Sequence, residues 1–289
     1  MGRNRLVVGT GALRLRGVLR RLLPPAHAGR LRREPPVYGD GRQGPARQEG
    51  RWPMSRAYDV GASSEQGRRD YQQDAVGRTQ GPAGLIAAVA DGLGSYEGSD
   101  KAAQAAVRSV LGHAYLREAD ASDGSLKLGM ESAVAHAHRD VRREQLVGQH
   151  TGLTTLALLV VAGARAAVAH VGDSRVYRLR AGKLEQLTED HRDSRHVLTR
   201  CLGSVRSDCT PDVLETDARP GDVWLLSTDG VHESLTLEQL ASVLADGADA
   251  QVAAQALVES ALAAGSRDNC TALVVRVPGD VPETVRGAA

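Results

Sequence analysis

The chain contains no phenylalanine, and its aromatic residues amount to only 3% of 289 positions. Its core must therefore be filled by the small side chains of Ala, Val and Leu, closely packed in place of aromatic bulk. Cysteine is scarce as well. Cys201, Cys209 and Cys270 lack the CxxC spacing of a zinc site, and three thiols cannot all pair within one chain. They read as reduced thiols, which points to the cytoplasm. No stretch reaches the ~18–20 unbroken apolar residues of a membrane span. The segment "LVVGTGALRLRGVLRRLLPP" interrupts its apolar positions with Arg, unlike a secretory signal.

Net charge is also small, at +1, but it is unevenly placed. Residues 1–53 carry twelve Arg against Glu34, Asp40 and Glu49, a balance of +9, which leaves −8 for the rest. An acidic body argues against nucleic acid as a partner and suits divalent cations. The Arg-, Gly- and Pro-rich 1–53 segment has no sustained period and is expected to be a disordered extension, with a folded domain over 54–278 and a short disordered tail over 279–289. A basic arm for nucleic acid or an anionic membrane is the functional alternative for 1–53.

From Ala57 the pattern becomes regular. "AYDVGAS", "DAVGRT" and "GLIAAVA" read as strands, the last apolar enough to be buried on both faces. "GSDKAAQAAVRSVLGHAYLREA" reads as a helix capped by Ser99 or Asp100, and residues 125–147 as a second helix. "TTLALLVVAG", "RAAVAHVG", "SRVYRLR" and "KLEQLT" follow with short turns, which predicts a four-strand antiparallel meander. "DVWLLSTD" is another strand. Thr236 with Gln239 forms a capping box and Asp249 caps a further helix before the closing strand "CTALVVRV". Strand blocks separated by helix pairs, without βαβ alternation, predict an α+β fold in which a β-sandwich is flanked by helices.

Asp91, Asp173, Asp229 and Asp268 share one local setting: each stands at the boundary of an apolar strand beside Gly, Ser or Asn ("ADGLG", "VGDSR", "STDGV", "RDNCT"). A single such Asp is an ordinary turn residue. Four in the same context, brought to one sandwich edge, would repel and raise each other's pKa values unless cations joined them. All-oxygen ligands favour Mg²⁺ or Mn²⁺. Gly92, lacking Cβ, is expected to leave room for an ion to approach its carbonyl. In "GRRDYQQDA", Arg69 beside an anionic site fits a phosphate-holding fork, or else a neutraliser of surplus carboxylates.

These blocks, in this order, resemble the metal-dependent protein serine/threonine phosphatases of the PPM or type 2C family. The resemblance rests on "GRRDYQQDA", "AVADGLGSYEGSDKAA", "TGLTTLALLVV", "AVAHVGDSRVYRLRAGKLEQLTEDH", "VLTRCLGS", "GDVWLLSTDGV" and "SRDNCTALVVRV", which span residues 57–277. It implies a four-layer αββα sandwich. It also implies that Asp91 bridges two Mn²⁺ or Mg²⁺ ions, that the Gly92 carbonyl ligates one of them, and that Asp229 and Asp268 hold the other. Asp173 would help a weaker third ion, Asp74 would orient a water, and Arg69 would bind the substrate phosphate. Hydrolysis would proceed through an activated water with no covalent phospho-enzyme, leaving the cysteines as bystanders.

Two departures from the family pattern carry expectations. Gln73 stands where many relatives have Glu, which predicts weaker binding of the ion paired with Gly92; position 93 is Leu, where animal members have a His able to protonate the leaving group. Between "TEDH" and "VLTRCLG" only Arg192 to His196 remain, so the flap subdomain of many bacterial relatives is expected to be absent and the substrate groove open. His136 and His138 lie two apart on a helix and cannot chelate together. His191 and His232 are either neighbours of the metals or surface and turn positions. Asn269 begins a glycosylation sequon that a cytoplasmic protein would not use. The expected partners are phosphoserine and phosphothreonine proteins, substrates of bacterial kinases, with the chain acting as a monomer away from membranes. A metal-binding scaffold of the same fold and a small-phosphoester phosphatase are the competing readings.

Overall fold

The computed structural model describes residues 58–81, 84–113, 126–194 and 197–279. The 1–53 extension, the opening of the domain at 54 and all but the first residue of the 279–289 tail lie outside them. In chain order the elements are β1 (Asp59–Glu65), β2 (Ala75–Gly81), β3 (Gly84–Ala90), α1 (Ser99–Gly112) and α2 (Leu126–Gly148). Next come β4 (Leu156–Ala162), β5 (Arg165–Val171), β6 (Arg175–Arg180) and β7 (Lys183–Gln186). The short strands β8 (Arg192–Ser194) and β9 (Val197–Leu198) precede β10 (Asp212–Asp217) and β11 (Val223–Ser227). The chain then runs through α3 (Asp229–His232), α4 (Leu237–Ala245), α5 (Ala250–Ala263) and β12 (Cys270–Arg276).

Two five-stranded antiparallel sheets form, in the orders β1-β12-β11-β6-β7 and β10-β5-β4-β3-β2. The alternation of side chains along each strand divides the core into three layers. In β3, Leu85, Ala87 and Val89 face the opposite sheet, where they meet Trp224, Leu226 and Leu273. Ile86, Ala88 and Ala90 face outward onto Ala102, Val110, Met130 and Val134 of α1 and α2. On the other sheet, Leu225 and Val274 face Leu240, Leu257 and Val258 of α4 and α5. The result is the αββα sandwich, and apolar residues occupy both faces of its central strands because both faces are covered. Ala at so many contact positions substitutes close approach for the missing aromatic bulk.

Several local expectations meet the structure directly. The Thr236 hydroxyl accepts from the Gln239 amide while the Gln239 side chain accepts from the Thr236 amide, a complete capping box. Asp249 caps α5 by accepting from the Val252 amide. The turn between β6 and β7 places Ala181 and Gly182 at φ 49° and 78°, the twist that a two-residue hairpin requires.

Three expectations are corrected. Helix α1 is capped by neither Ser99 nor Asp100: Gly98 is the N-cap, at φ 79° with no side-chain cap bond, and Ser99 instead turns back to donate to the Leu93 and Tyr96 carbonyls. The four-strand meander divides between sheets. Strand β5 pairs with β4 and β10, while β6 pairs with β11 and β7, so the chain crosses the sandwich at Gly172–Ser174. Strand β10, unread in the sequence because its pattern is largely exposed, closes the edge beside β5. Where the flap was expected to be missing, the described residues hold only the β8–β9 ribbon.

Candidate active site

Strand register gathers the strand-end aspartates at one edge of the sandwich. Ala75 pairs with Ala90, which sets Asp74 opposite Asp91. Val171 pairs with Leu156, bringing Asp173 to the same end. In the facing sheet, Ser227 pairs with Ala272 and with Arg175, so Asp229 and Asp268 stand at that end too. Five carboxylates separated by up to 194 positions in sequence therefore converge through hydrogen-bond register alone.

Backbone bonds fix the two central ones. The Asp91 amide donates to Thr155 Oγ1 at 2.9 Å, and the Asp91 carbonyl accepts from the Thr155 amide and Thr154 Oγ1, both at 2.9 Å. Asp74 spans the two sheets: its Oδ2 accepts from Thr228 Oγ1 at 2.9 Å and Thr271 Oγ1 at 2.6 Å. Its Oδ1 is buried without a hydrogen-bond partner, and so is Oδ1 of Asp229. Unpartnered buried carboxylate oxygens are costly and fit a site built to receive a cation.

Burial, above all, pushes Asp74 up to about 7, with the charge on Asp268 adding to it and the bonds from Thr271 and Thr228 opposing it. Burial and then the charges of Asp74 and Asp229 hold Asp91 well above the usual carboxylate range. Asp229 reaches about 7 through burial and the neighbouring Asp173 and Asp268, and Asp173 about 6 through burial and Asp190. Asp74, Asp91 and Asp229 each feel the charge of other members, so the cluster favours whatever supplies positive charge.

Gly92 has a packing reason beside the expected one. A Cβ at this position would lie 2.5 Å from the Ser99 carbonyl oxygen and 2.7 Å from that of Gln73. The backbones packed on either side require a glycine here. Its amide donates to the Gln73 carbonyl at 3.1 Å, tying positions 73 and 92 together. The Gln73 amide in turn donates to Asn269 Oδ1 at 2.9 Å.

Asn269 proves central to the loop that carries Arg69, Gln73 and Asp74. Besides accepting from Gln73, its Nδ2 donates to the Gln66 carbonyl at 2.8 Å and the Tyr71 carbonyl at 3.0 Å. Arg69 donates from one terminal nitrogen to Asp268 Oδ2 at 2.6 Å, and the side chain remains 49% exposed. It lines a 430 Å³ cleft with Asp229, Asp268 and Ser266. The pairing with Asp268 is the neutralising role open to this arginine, while its exposed remainder faces the cleft.

The two histidines separate. His232 is buried, with Nδ1 3.0 Å from Ser227 Oγ, and burial followed by the Arg175 charge pushes it down to about 3, so it is neutral near pH 7. His191 stacks on His170 with ring centroids 4.3 Å apart and bonds Asp212 Oδ2 at 3.1 Å. Among the described residues, His170, His191 and Asp212 are the group whose ligand atoms all lie within 4.8 Å, but Asp212 is already engaged by Arg200, which donates to its Oδ1 at 2.7 Å. The strand-end aspartates form a looser set, as repelling carboxylates and ligands divided between two ions would.

Sequence reasoning passed over Asp190, Arg192, Arg175 and Glu233. Arg175 grips Asp190 with two parallel bonds of 2.8 and 2.7 Å, and Arg192 joins Asp190 to Glu233. Asp190 is the aspartate of "TEDH", but its partners Arg175 and Arg192 come from β6 and β8, which no local pattern connects.

The serine/threonine protein phosphatase PstP of Mycobacterium tuberculosis is 28% identical over 213 residues, 66% of this chain; the chain spans 40% of that relative's length. The serine/threonine phosphatase stp of Listeria monocytogenes is 26% identical over 213 residues, covering 66% of this chain and 83% of that protein. The crystal structure of the PstP catalytic domain in complex with two manganese ions superposes with a TM-score of 0.66 at 27% identity, over 76% of this chain and 98% of that one. The family model described as Protein phosphatase 2C matches residues 61–264. That match takes in well over half of the sequence and every strand-end aspartate except Asp268, and it establishes that the chain belongs to the protein phosphatase 2C family.

Proposed function

We propose that this chain is a metal-dependent phosphatase that hydrolyses phosphoserine and phosphothreonine in proteins. The observation that carries the reading is the convergence of Asp74, Asp91, Asp229 and Asp268 with Arg69 at one sandwich edge, with buried carboxylate oxygens left unpartnered. The donor set consists of oxygens alone, which suits Mn²⁺ or Mg²⁺. Asp91 and the Gly92 carbonyl, with Gln73 beside them, are assigned to one ion, and Asp91, Asp229 and Asp268 to the other.

When bound, such ions lower the pKa of a water and neutralise charge on phosphoryl oxygens. The chain's own residues do the rest. Arg69 presents a planar fork to the phosphate from the exposed side of the cleft. Asp74, clamped at Oδ2 by two threonine hydroxyls, keeps Oδ1 free to accept a hydrogen bond from the attacking water and orient it. Leu93 has no proton to give, so the leaving alkoxide takes its proton from a water, one held in the site or one from solvent. Cys201, Cys209 and Cys270 are free thiols, consistent with a reducing compartment, and take no part. No helix among the described residues is long and apolar enough to cross a membrane. The reading places a monomeric enzyme in the cytoplasm, opposing bacterial serine/threonine kinases.

The test is phosphate release from a phosphothreonine peptide by the full chain, with Mn²⁺ and with chelator, beside Asp91→Asn. Metal-dependent turnover that falls at least 100-fold in the variant is expected. A folded, Mn²⁺-loaded protein without turnover would leave a scaffold, and turnover of sugar phosphates alone would leave a small-phosphoester enzyme.

A further inference from the structure

Arg192, the first residue of β8, stands in the short segment between "TEDH" and "VLTRCLG". Its guanidinium donates to Glu233 Oε1 at 2.6 Å and to Asp190 Oδ2 at 2.9 Å, and it stands 3.9 Å from Asp173 Oδ2. Arg175 holds Asp190 from the other side. The groups come from separate places: Asp173 from the crossing between sheets, Asp190 from the end of the β7 hairpin, Glu233 from the end of α3.

Arg192 differs from Arg69 in how firmly it is held. Arg69 has one carboxylate partner and is 49% exposed; Arg192 has two and is 22% exposed. A guanidinium keeps its charge at any pH the protein survives, and its fork suits two acceptors at once. A divalent ion on Asp173 would meet that fixed charge 3.9 Å from its ligand oxygen, and Asp190 and Glu233, the nearby carboxylates able to complete its shell, are already engaged. An arginine also sits against the carboxylate at His170, His191 and Asp212, where Arg200 donates to Asp212 Oδ1 at 2.7 Å.

We infer that Arg192 is a built-in cation occupying the place of a third metal ion at Asp173, so that the chain binds two divalent ions and not three. The inference rests on the two-ion reading above. A 620 Å³ cleft lined by Arg175, Arg192, Asp193, Ser194, His232 and Glu233 opens beside the guanidinium. Truncating Arg192 would therefore take the cation away from Asp173 and from Glu233 in the cleft wall, while Arg175 keeps its hold on Asp190, and would open a place for an entering ion.

Counting Mn²⁺ on the full chain tests this, by calorimetric titration and by metal analysis after dialysis up to millimolar free Mn²⁺. Wild type is expected to hold two ions and Arg192→Lys two. Arg192→Ala should gain a third, weaker ion that Arg192→Ala combined with Asp173→Asn loses. Should Arg192→Ala not fold, the comparison of wild type with Asp173→Asn decides, with two ions on both expected. Three ions on wild type with one lost in Asp173→Asn, or a folded Arg192→Ala that stays at two, would overturn the inference alone. No ions on wild type would overturn the two-ion reading and this inference with it.

Discussion

One asparagine ties down the loop that carries Arg69, the arginine proposed to bind phosphate. Asn269 makes three bonds to the segment from Gln66 to Gln73, two of them to carbonyls and one from the Gln73 amide. Removing its side chain leaves those part-buried backbone groups without the partners they have in the fold, each a loss of about 1 kcal/mol. Asn269→Ala is expected to lower stability by about 2–3 kcal/mol, read from denaturant melts. It should also raise KM for a phosphopeptide more than it lowers kcat, because Arg69 rides on the freed loop. A stability loss with unchanged KM would mean that Arg69 is placed by Asp268 alone.

The Asn269 role shows what sequence can and cannot reveal at this scale. Asp91, Asp173, Asp229 and Asp268 were legible because each sits at the end of an apolar run, and a strand's end is a position that periodicity marks. Asn269 was visible as the neighbour of Asp268 in "RDNCT" and as the start of a sequon, but its hold on the loop was not, since its partners lie 196 to 203 positions away. Asp190, Arg192 and Glu233 were passed over for the same reason. Gly92 was picked out correctly as special, but its packing reason is the Ser99 and Gln73 backbones that close on it, a contact made only in the folded chain.

At the scale of elements, the strands that pack on both faces were readable as apolar runs, and β3, β4, β11 and β12 all fall within the segments expected. The misreadings lie where neighbours override the local pattern. Short turns join β5 to β6 as in a meander, yet apolar residues on both faces of β5 require two covering layers, and the chain crosses to the second sheet. Strand β10 carries exposed polar residues because it is an edge. The local signal at α4 was sufficient. Thr236→Ala, which removes the side-chain half of the capping box at an exposed site, is expected to cost about 1 kcal/mol, roughly 2–4 °C in Tm. Mn²⁺ affinity should not change, since α4 packs on the sheet away from the aspartates. A shift in Mn²⁺ affinity measured by titration would connect α4 to the site through α3.

For the whole molecule, the aspartate cluster and the buried histidines give opposite pH dependences, and the windows in which they act differ. Asp74 and Asp229 rise from an ordinary 3.8 to about 7 in the fold, and Asp173 to about 6. Between those values and 3.8 the folded chain holds protons that the unfolded chain has released, so acidification stabilises. His170 falls to about 4 and His232 to about 3, through burial in both cases. Below the ordinary 6.5 the unfolded chain takes protons that the folded one refuses, so acidification destabilises. From pH 8 to 6.5 the raised carboxylates of the folded chain take up more protons than the histidines of the unfolded chain, whose opposing uptake grows as pH nears 6.5. In chelator, stability should rise by about 1 kcal/mol over that interval, roughly 2–4 °C in Tm, and flatten at lower pH as the histidines oppose it. Asp229→Asn should reduce the rise, having removed one of its titrating groups. Saturating Mn²⁺ should abolish or reverse it, because ions then replace the protons and acid displaces them. Thermal melts at pH 8, 7, 6.5 and 5.5 in both conditions supply the measurement. A chelator curve that falls steadily from pH 8 would mean that the carboxylates stay ionised without metal, which requires Arg69 and Arg192 together to balance the cluster and leaves little electrostatic drive for cation binding.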